Sequence, residues 1–273
     1  MREEKLKTIL LYLGGVFLAV FAVSPFLWMI SVSIVPSHRF LFEGGTSFTI
    51  EHYVNMFQQT EFLAFFINSL IIAVTVSVLV SLFASMAGYA ISRMRFPGRI
   101  AIPLFVLAMS MFPQISIVGY LANFFGNLGL IDSKIALILP YIAWTIPIAL
   151  WINMSYFAQI PIELDKAALI DGAGPTKILF RIILPIAMPG IFSSFLLVFI
   201  ACFNEFLFAL MLTSSPNAQT IPVGIASFSG LYGQTSWGMV MAASFVASVP
   251  LIVLTLIFQR YIVQGLTAGS VKG

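Results

Sequence analysis

The chain has 273 residues, of which 60% are hydrophobic, 27 are phenylalanine and only 8% are charged; its mean hydropathy is +1.04. Such a surface cannot be solvated by water over most of its area, which excludes a soluble globular domain. The formal charge of +3 is too small to argue for a nucleic-acid partner.

The spans are predicted from runs of apolar residues, and several reach the roughly 20 residues that a helix needs to cross a hydrocarbon core. None has the short alternation of an outer-membrane strand. The expected fold is therefore all-α, a polytopic transmembrane bundle. Apolar length and polar breaks place six spans at about 9–35, 64–92, 100–122, 135–158, 191–213 and 238–258. The first follows MREEKLK and is too long for a secretory signal, so it is expected to be a retained span. Residues 1–8 are then a cytoplasmic N-terminus, 9–258 the membrane domain and 259–273 a cytoplasmic tail.

Basic residues set the orientation. With the N-terminus inside, Arg2, Lys5, Lys7, Arg93, Arg95, Arg99, Lys166, Lys177, Arg181, Arg260 and Lys272 are cytoplasmic, and only Arg39 and Lys134 are outside. Both termini of a multi-pass protein are then expected in the cytoplasm. Two turn-rich outer connections, SHRFLFEGGTSFTIEHYVNMFQQTEF and SSPNAQTIPVGIASFSGLYGQTSW, are solvated loops or a landing surface for an external partner. Pro25, Pro103, Pro113, Pro140, Pro147 and Pro250 fall inside spans, where each removes a helical hydrogen bond and bends the chain.

Cysteine and histidine usage excludes other chemistry. The single Cys202 permits no internal disulfide, and His38 and His52 lie in a polar connection, which argues against a metal centre. Glu205 is the one carboxylate within the spans, too little for a paired-acid membrane enzyme or a proton relay in a secondary transporter. No filter motif of an ion channel is visible. No G-x-x-x-x-G-K-[ST] loop is present, so the chain lacks the usual P-loop for ATP.

The exception to the apolar pattern lies at residues 159–190. There Glu163, Asp165, Lys166, Asp171, Lys177 and Arg181 fall within ELDKAALIDGAGPTKILFRIILP. Pro161 suits a first helical turn, Glu163 and Asp165 complement a helix dipole, and Gly172 suits a left-handed C-cap. A helix is predicted over 162–171, with Leu164, Ala167, Ala168 and Asp171 on one face. A second helix is predicted from Pro175, with Leu179, Ile182 and Ile183 on the membrane boundary. The acidic first helix either rests on the lipid interface or seats in a groove of another protein.

The residues Glu163, Leu164, Ala167, Ala168, Asp171, Gly172, Ala173, Phe180, Ile182, Leu184, Pro185 and Pro189 together resemble the coupling loop of inner-membrane permeases of ATP-binding-cassette importers. INSL at Ile67, ISRMRFPG at Ile91, LPYIAWTIP at Leu139, FNEFLFALMLT at Phe203, TIPVGIASF at Thr220 and the tail QRYIVQGLTAGSVKG resemble the carbohydrate-uptake branch, of maltose and trehalose type. The resemblance implies a type I importer permease fold and a non-enzymatic transport subunit for a di- or oligosaccharide. It also implies two cytoplasmic ATP-binding subunits, a second homologous permease and an external sugar-binding protein. ATP and magnesium would belong to the ATP-binding subunits, with no cofactor in this chain. Glu163, Leu164, Asp165, Lys166, Ala167, Ala168, Asp171, Gly172 and Ala173 would couple to an ATP-binding subunit, and the tail would reach between those subunits. Lys166 departs from the pattern, since the family usually has glutamate before the paired alanines.

A sugar path is expected at one depth. Gln114 and Glu205 fall eight residues, and Trp144 nine, from the outer end of a predicted span, with Asn204 adjacent, which is roughly 12 Å at about 1.5 Å per residue. Amides and a carboxylate would bond sugar hydroxyls, and the indole would stack on a pyranose. The alternative is that Asn204 and Glu205 tie helices together while Trp144 packs. Import of another solute delivered by a binding protein, or secondary transport, are the alternative functions.

Overall fold

A computed structural model describes residues 2–36, 48–228 and 236–267, all helix, turn or irregular chain with no strand among them. His38, Arg39 and the last residues of the tail lie outside the described residues. Five helices are long and apolar enough to cross a membrane, and six if one bent pair counts as a single span. The chain divides into two compact units, one of residues 1–62 and 225–249, the other of 63–224 and 250–273.

In the smaller unit, α1 (Arg2–Ser33) carries the candidate span Lys7–Ser33, none of whose most apolar window is buried. Such a helix takes its stability from internal backbone bonds and from lipid or a partner. The segment after it is tied to α2 (Glu51–Gln59). The Ser33 and Tyr53 hydroxyls are 2.7 Å apart, and His52 Nε2 lies 3.0 Å from Val35 O. His52 thus has a local partner. The beginning of α12 (Trp237–Thr267) passes this ring at Gly238, where a Cβ would stand 2.2 Å from His52 Nε2.

The larger unit is built on α3 (Phe62–Arg93), α6 (Lys134–Gln159) and α9 (Leu184–Phe203). Asn153 of α6 is fully buried, donating to Ser85 Oγ of α3 at 3.2 Å and accepting from Ser194 Oγ of α9 at 3.1 Å. Small residues let these helices approach. Gly88 lies against Asn153, and a Cβ on Gly190 would stand 2.2 Å from the Tyr156 ring.

Two spans depart from expectation. The predicted run 100–122 is two helices, α4 (Ala101–Ser110) and α5 (Gln114–Asn127), bent by 89°. Pro113 causes the break: it has no N–H, and it disfavours helical geometry at the residue before it. The predicted span 191–213 instead runs from Pro175 and stops at Phe203. It begins as α8 (Pro175–Ile178), widens into a π-helical turn at Leu179–Ile183 and continues as α9. The second loop helix is therefore the start of the span rather than a separate piece on the boundary. Pro185 cannot donate to the carbonyl four residues back, and the wider turn, with Leu184 N–H on Leu179 O, accommodates its ring. Past Phe203 the chain turns and makes a short α10 (Leu207–Leu212) and α11 (Ile221–Ala226).

Hydrogen bonds at the end of the bundle opposite residues 159–190 hold the connection after α10. Asp132, at φ 61°, accepts at Oδ1 from the N–H groups of Ser214 (2.8 Å) and Ser215 (2.9 Å). Lys134 Nζ donates to Asn217 O, and Asn68 Nδ2 donates to Pro216 O and Gln219 O. Partial burial of Asp132 works against its charge, but the bonds from Ser215 and Ser214 outweigh it and hold the carboxyl below the usual aspartate range. A lowered pKa means that this contribution is complete above the unfolded value of about 3.9 and is lost as pH falls through the lower folded value. Hydrogen-exchange protection of the Ser214 and Ser215 amides should therefore hold down to about pH 4 and collapse below it. In Asp132→Asn protection should be weaker and free of that step; an identical acid step in the variant would contradict the clamp.

Candidate functional site

The short helix α7 (Glu163–Ile170) forms one residue inside each predicted end, with Ile162 and Asp171 as caps. Glu163 and Asp165 occupy its first turn, where the helix dipole favours negative charge. Gly172 has φ +76°. Its N–H bonds Leu169 O at 3.1 Å, and the Ala173 N–H bonds Ala168 O at 2.9 Å. Those two bonds are a Schellman stop, whose left-handed residue favours glycine. Gly174 is extended and Pro175 starts α8.

Burial divides the nine predicted coupling residues into two sets. Asp165, Ala168 and Ala173 point into the protein, at 7%, 5% and 7% exposure. Ala168 and Ala173 pack in a cluster with Tyr89, Phe157, Ile178 and Ile183. Glu163, Leu164, Lys166, Ala167, Asp171 and Gly172 are exposed. The expected face of Leu164, Ala167, Ala168 and Asp171 is therefore corrected. The most outward stripe is Glu163, Lys166, Ala167 and Ile170, at i, i+3, i+4 and i+7, with Ile170 87% exposed.

Asp165 sets that rotation. Tyr89 Oη donates to its Oδ1 at 2.9 Å, and Arg93 Nε stands 3.6 Å from Oδ2, with the Arg93 and Asp165 side chains only 9% and 10% exposed. The Arg93 guanidinium also donates to Ile160 O, just before Pro161. The last turn of α3 thus holds both the approach to α7 and its first turn. The sequence reading missed Tyr89 and Arg93 as anchors. Their signal was a tyrosine and an arginine four residues apart at the end of a span, a spacing that puts both on one helix face.

The four residues of the expected sugar level do not form one set. Gln114 and Trp144 line a cavity of about 530 Å³ between the α4–α5 bend, α6 and Phe208. Its walls are mainly apolar, and Ser110 adds a hydroxyl. Gln114 Nε2 is buried without a hydrogen-bond partner among the described residues. Glu205 lies elsewhere. At 5% exposure it accepts from Tyr141 Oη at 2.6 Å and from the N–H groups of Phe208 (2.9 Å) and Ala209 (3.2 Å). It caps α10 and ties it to α6, so its oxygens are engaged in scaffolding. Asn204 is exposed at the end of α9, with Nδ2 on Ile200 O at 2.9 Å, and does not line the cavity. Among the described residues no three His, Cys, Asp or Glu side chains gather as a metal site.

Removing the buried anion should free α7. Asp165→Ala leaves Arg93 unpaired and should raise proteolytic cleavage within 162–174 severalfold, whereas Tyr89→Phe, which loses one hydrogen bond worth about 1 kcal/mol, should act more weakly. Wild-type resistance in Asp165→Ala would show that the loop is held by something else.

Known proteins match this arrangement along the whole chain. It is 50% identical to the trehalose/maltose transport system permease protein MalG of Thermococcus litoralis, over 100% of both chains. It is 38% identical to the trehalose transport system permease protein SugB of Mycobacterium tuberculosis, over 93% of each. A chain in the crystal structure of a bacterial ABC transporter that imports the acidic polysaccharide alginate shares the fold at a TM-score of 0.78. There the identity is 20%, with 96% of this chain and 98% of that one covered. Residues 80–268 match the family described as binding-protein-dependent transport system inner membrane component. With helices that satisfy the length and polarity of membrane spans, a full-length relative at 50% identity and that family match, the chain belongs to this family of ABC importer permeases.

Proposed function

We propose that the chain is one transmembrane half of an ATP-driven importer for a di- or oligosaccharide of trehalose or maltose type. The names of the two relatives support the sugar class. The observation that carries the mechanical part is the joint. A short helix with an exposed face is fixed to α3 through Asp165 and, after the tight turn at residues 171–174, is followed by α8, which runs into α9 without a break. A cytoplasmic ATP-binding subunit would seat the Glu163, Lys166, Ala167 and Ile170 face in a groove, with Leu164 and Asp171 at its rim and Gly172 closing the helix. Closure of two such subunits on ATP would move the spans as a body. ATP and magnesium stay with those subunits.

The same reading assigns a second homologous permease to the remaining half of the path and an extracytoplasmic binding protein to delivery. A related importer structure contains such a protein carrying an alginate pentasaccharide. Basic residues cluster at the α7 end, which supports a cytoplasmic location for that end. Within the path, Trp144 and Gln114 both line the cavity, and a pyranose could stack on the first while a hydroxyl brought against the second would give its buried amide a partner.

The reading is tested in proteoliposomes holding the assembled importer. Gly172→Val places a β-branched residue in the left-handed region at a cost of about 1–2 kcal/mol and should depress uptake about tenfold while the complex assembles. Trp144→Ala and Gln114→Ala should impair sugar uptake with complex yield unchanged, whereas Glu205→Gln should reduce yield itself. Normal transport in Gly172→Val would contradict the coupling role, and normal uptake in both cavity variants would remove the sugar path from this site.

A further inference from the structure

Next to the joint, the end of α3, the turn before α4 and the last turns of α6 enclose a separate groove of about 400 Å³. Arg99 stands at its mouth, exposed, with Nη2 donating to Ser92 O at 3.1 Å. Below it the walls are Ile100, Leu104, Met154 and the indole of Trp151, which is 48% exposed. No acidic residue is among those that line it. Trp151 lies eight residues before Gln159, the last residue of α6, a depth of about 12 Å. The groove therefore begins at a fixed positive charge near the end of the helices and descends along apolar walls into the span.

That gradient selects the occupant. A hydrated anion from solution would use Arg99 but would have no need of the apolar descent, and a neutral lipid would use the descent but leave the cation unused. We infer that the groove binds one anionic membrane lipid, with its phosphate on the Arg99 guanidinium and one hydrocarbon chain lying along Ile100, Leu104 and Met154. Trp151 stands beside that chain and offers it the apolar face of an indole. A basic pocket between helices on the cytoplasmic side is a recurrent way of holding such headgroups. The guanidinium is also bonded to the residue next to Arg93, so the lipid lies beside the anchor of α7. This site does not depend on which solute is carried.

The test is lipid retention by the intact importer. The complex is loaded with phosphatidylglycerol and phosphatidylcholine in equal amounts, stripped stepwise with neutral detergent, and weighed by native mass spectrometry. Wild-type complex should keep phosphatidylglycerol preferentially. Arg99→Gln should lower that retention about fivefold. Ala158→Phe, which puts a ring into the groove and leaves Arg99 itself in place, should lower it as well, and Arg99→Lys should restore most of it. Inorganic phosphate should not displace the lipid. Equal retention of the two lipids by wild type, or unchanged retention in Ala158→Phe, would overturn the proposal even if Arg99→Gln failed to assemble. Displacement by inorganic phosphate would assign the cation to a soluble anion and overturn it too.

Discussion

A carboxylate withdrawn from water at the edge of an apolar bundle needs compensating partners, and Asp165 finds both on one turn of α3. Tyr89 gives it a hydrogen bond and Arg93 a guanidinium, while Arg93 also holds the carbonyl of Ile160. Breaking such a buried pair leaves an uncompensated charge and costs far more than the pair itself contributes. The rotation of α7 is fixed by this constraint, because Asp165 and Ala168 must face inward together. Glu163, Lys166, Ala167 and Ile170 are left facing out. Downstream, the Schellman stop at Gly172 and the core contact of Ala173 bring the chain back to Pro175, from which helix continues into the membrane.

Buried polar groups inside the larger unit serve as scaffold where they join elements. Asn153 and Glu205 are buried with partners on neighbouring helices or the local backbone, and each joins elements that apolar packing alone would hold with less directional constraint. Gln114, which lines the cavity at the α4–α5 bend, has a buried amide nitrogen without a partner among the described residues. An unsatisfied donor costs free energy in a closed protein, and a bound polar solute would recover it. The Pro113 break makes the arrangement possible, since an unbroken helix would leave no bend around which the cavity could form.

Much of this was legible in the sequence. The apolar runs located the long helices, and punctuation by Pro161, Gly172 and Pro175 located α7 to within a residue at each end. Which side of α7 faces inward was not legible. The helix has only eight residues, and both alternatives offered an alanine and an acid, so the choice was made by Tyr89 and Arg93, more than seventy residues away. The break at Pro113 was marked by a residue already noted, but its 89° angle depends on how α4 and α5 pack. The sugar level failed for Glu205 because depth was counted along a span presumed continuous. The helix ends at Phe203, and a carboxylate two residues beyond a helix end readily caps the next one.

The central claim is that α7 moves with α3 as one body. Spin labels at Met94, at the end of α3, and at Ile170, on the outward tip of α7, measure it directly in the assembled importer by pulsed electron resonance. The distance between them should be the same in nucleotide-free and ATP-bound states, while the distance from Ile170 to a label on the second permease half shifts. A Met94–Ile170 distance that changes on ATP binding while the distance between halves stays fixed would contradict the claim.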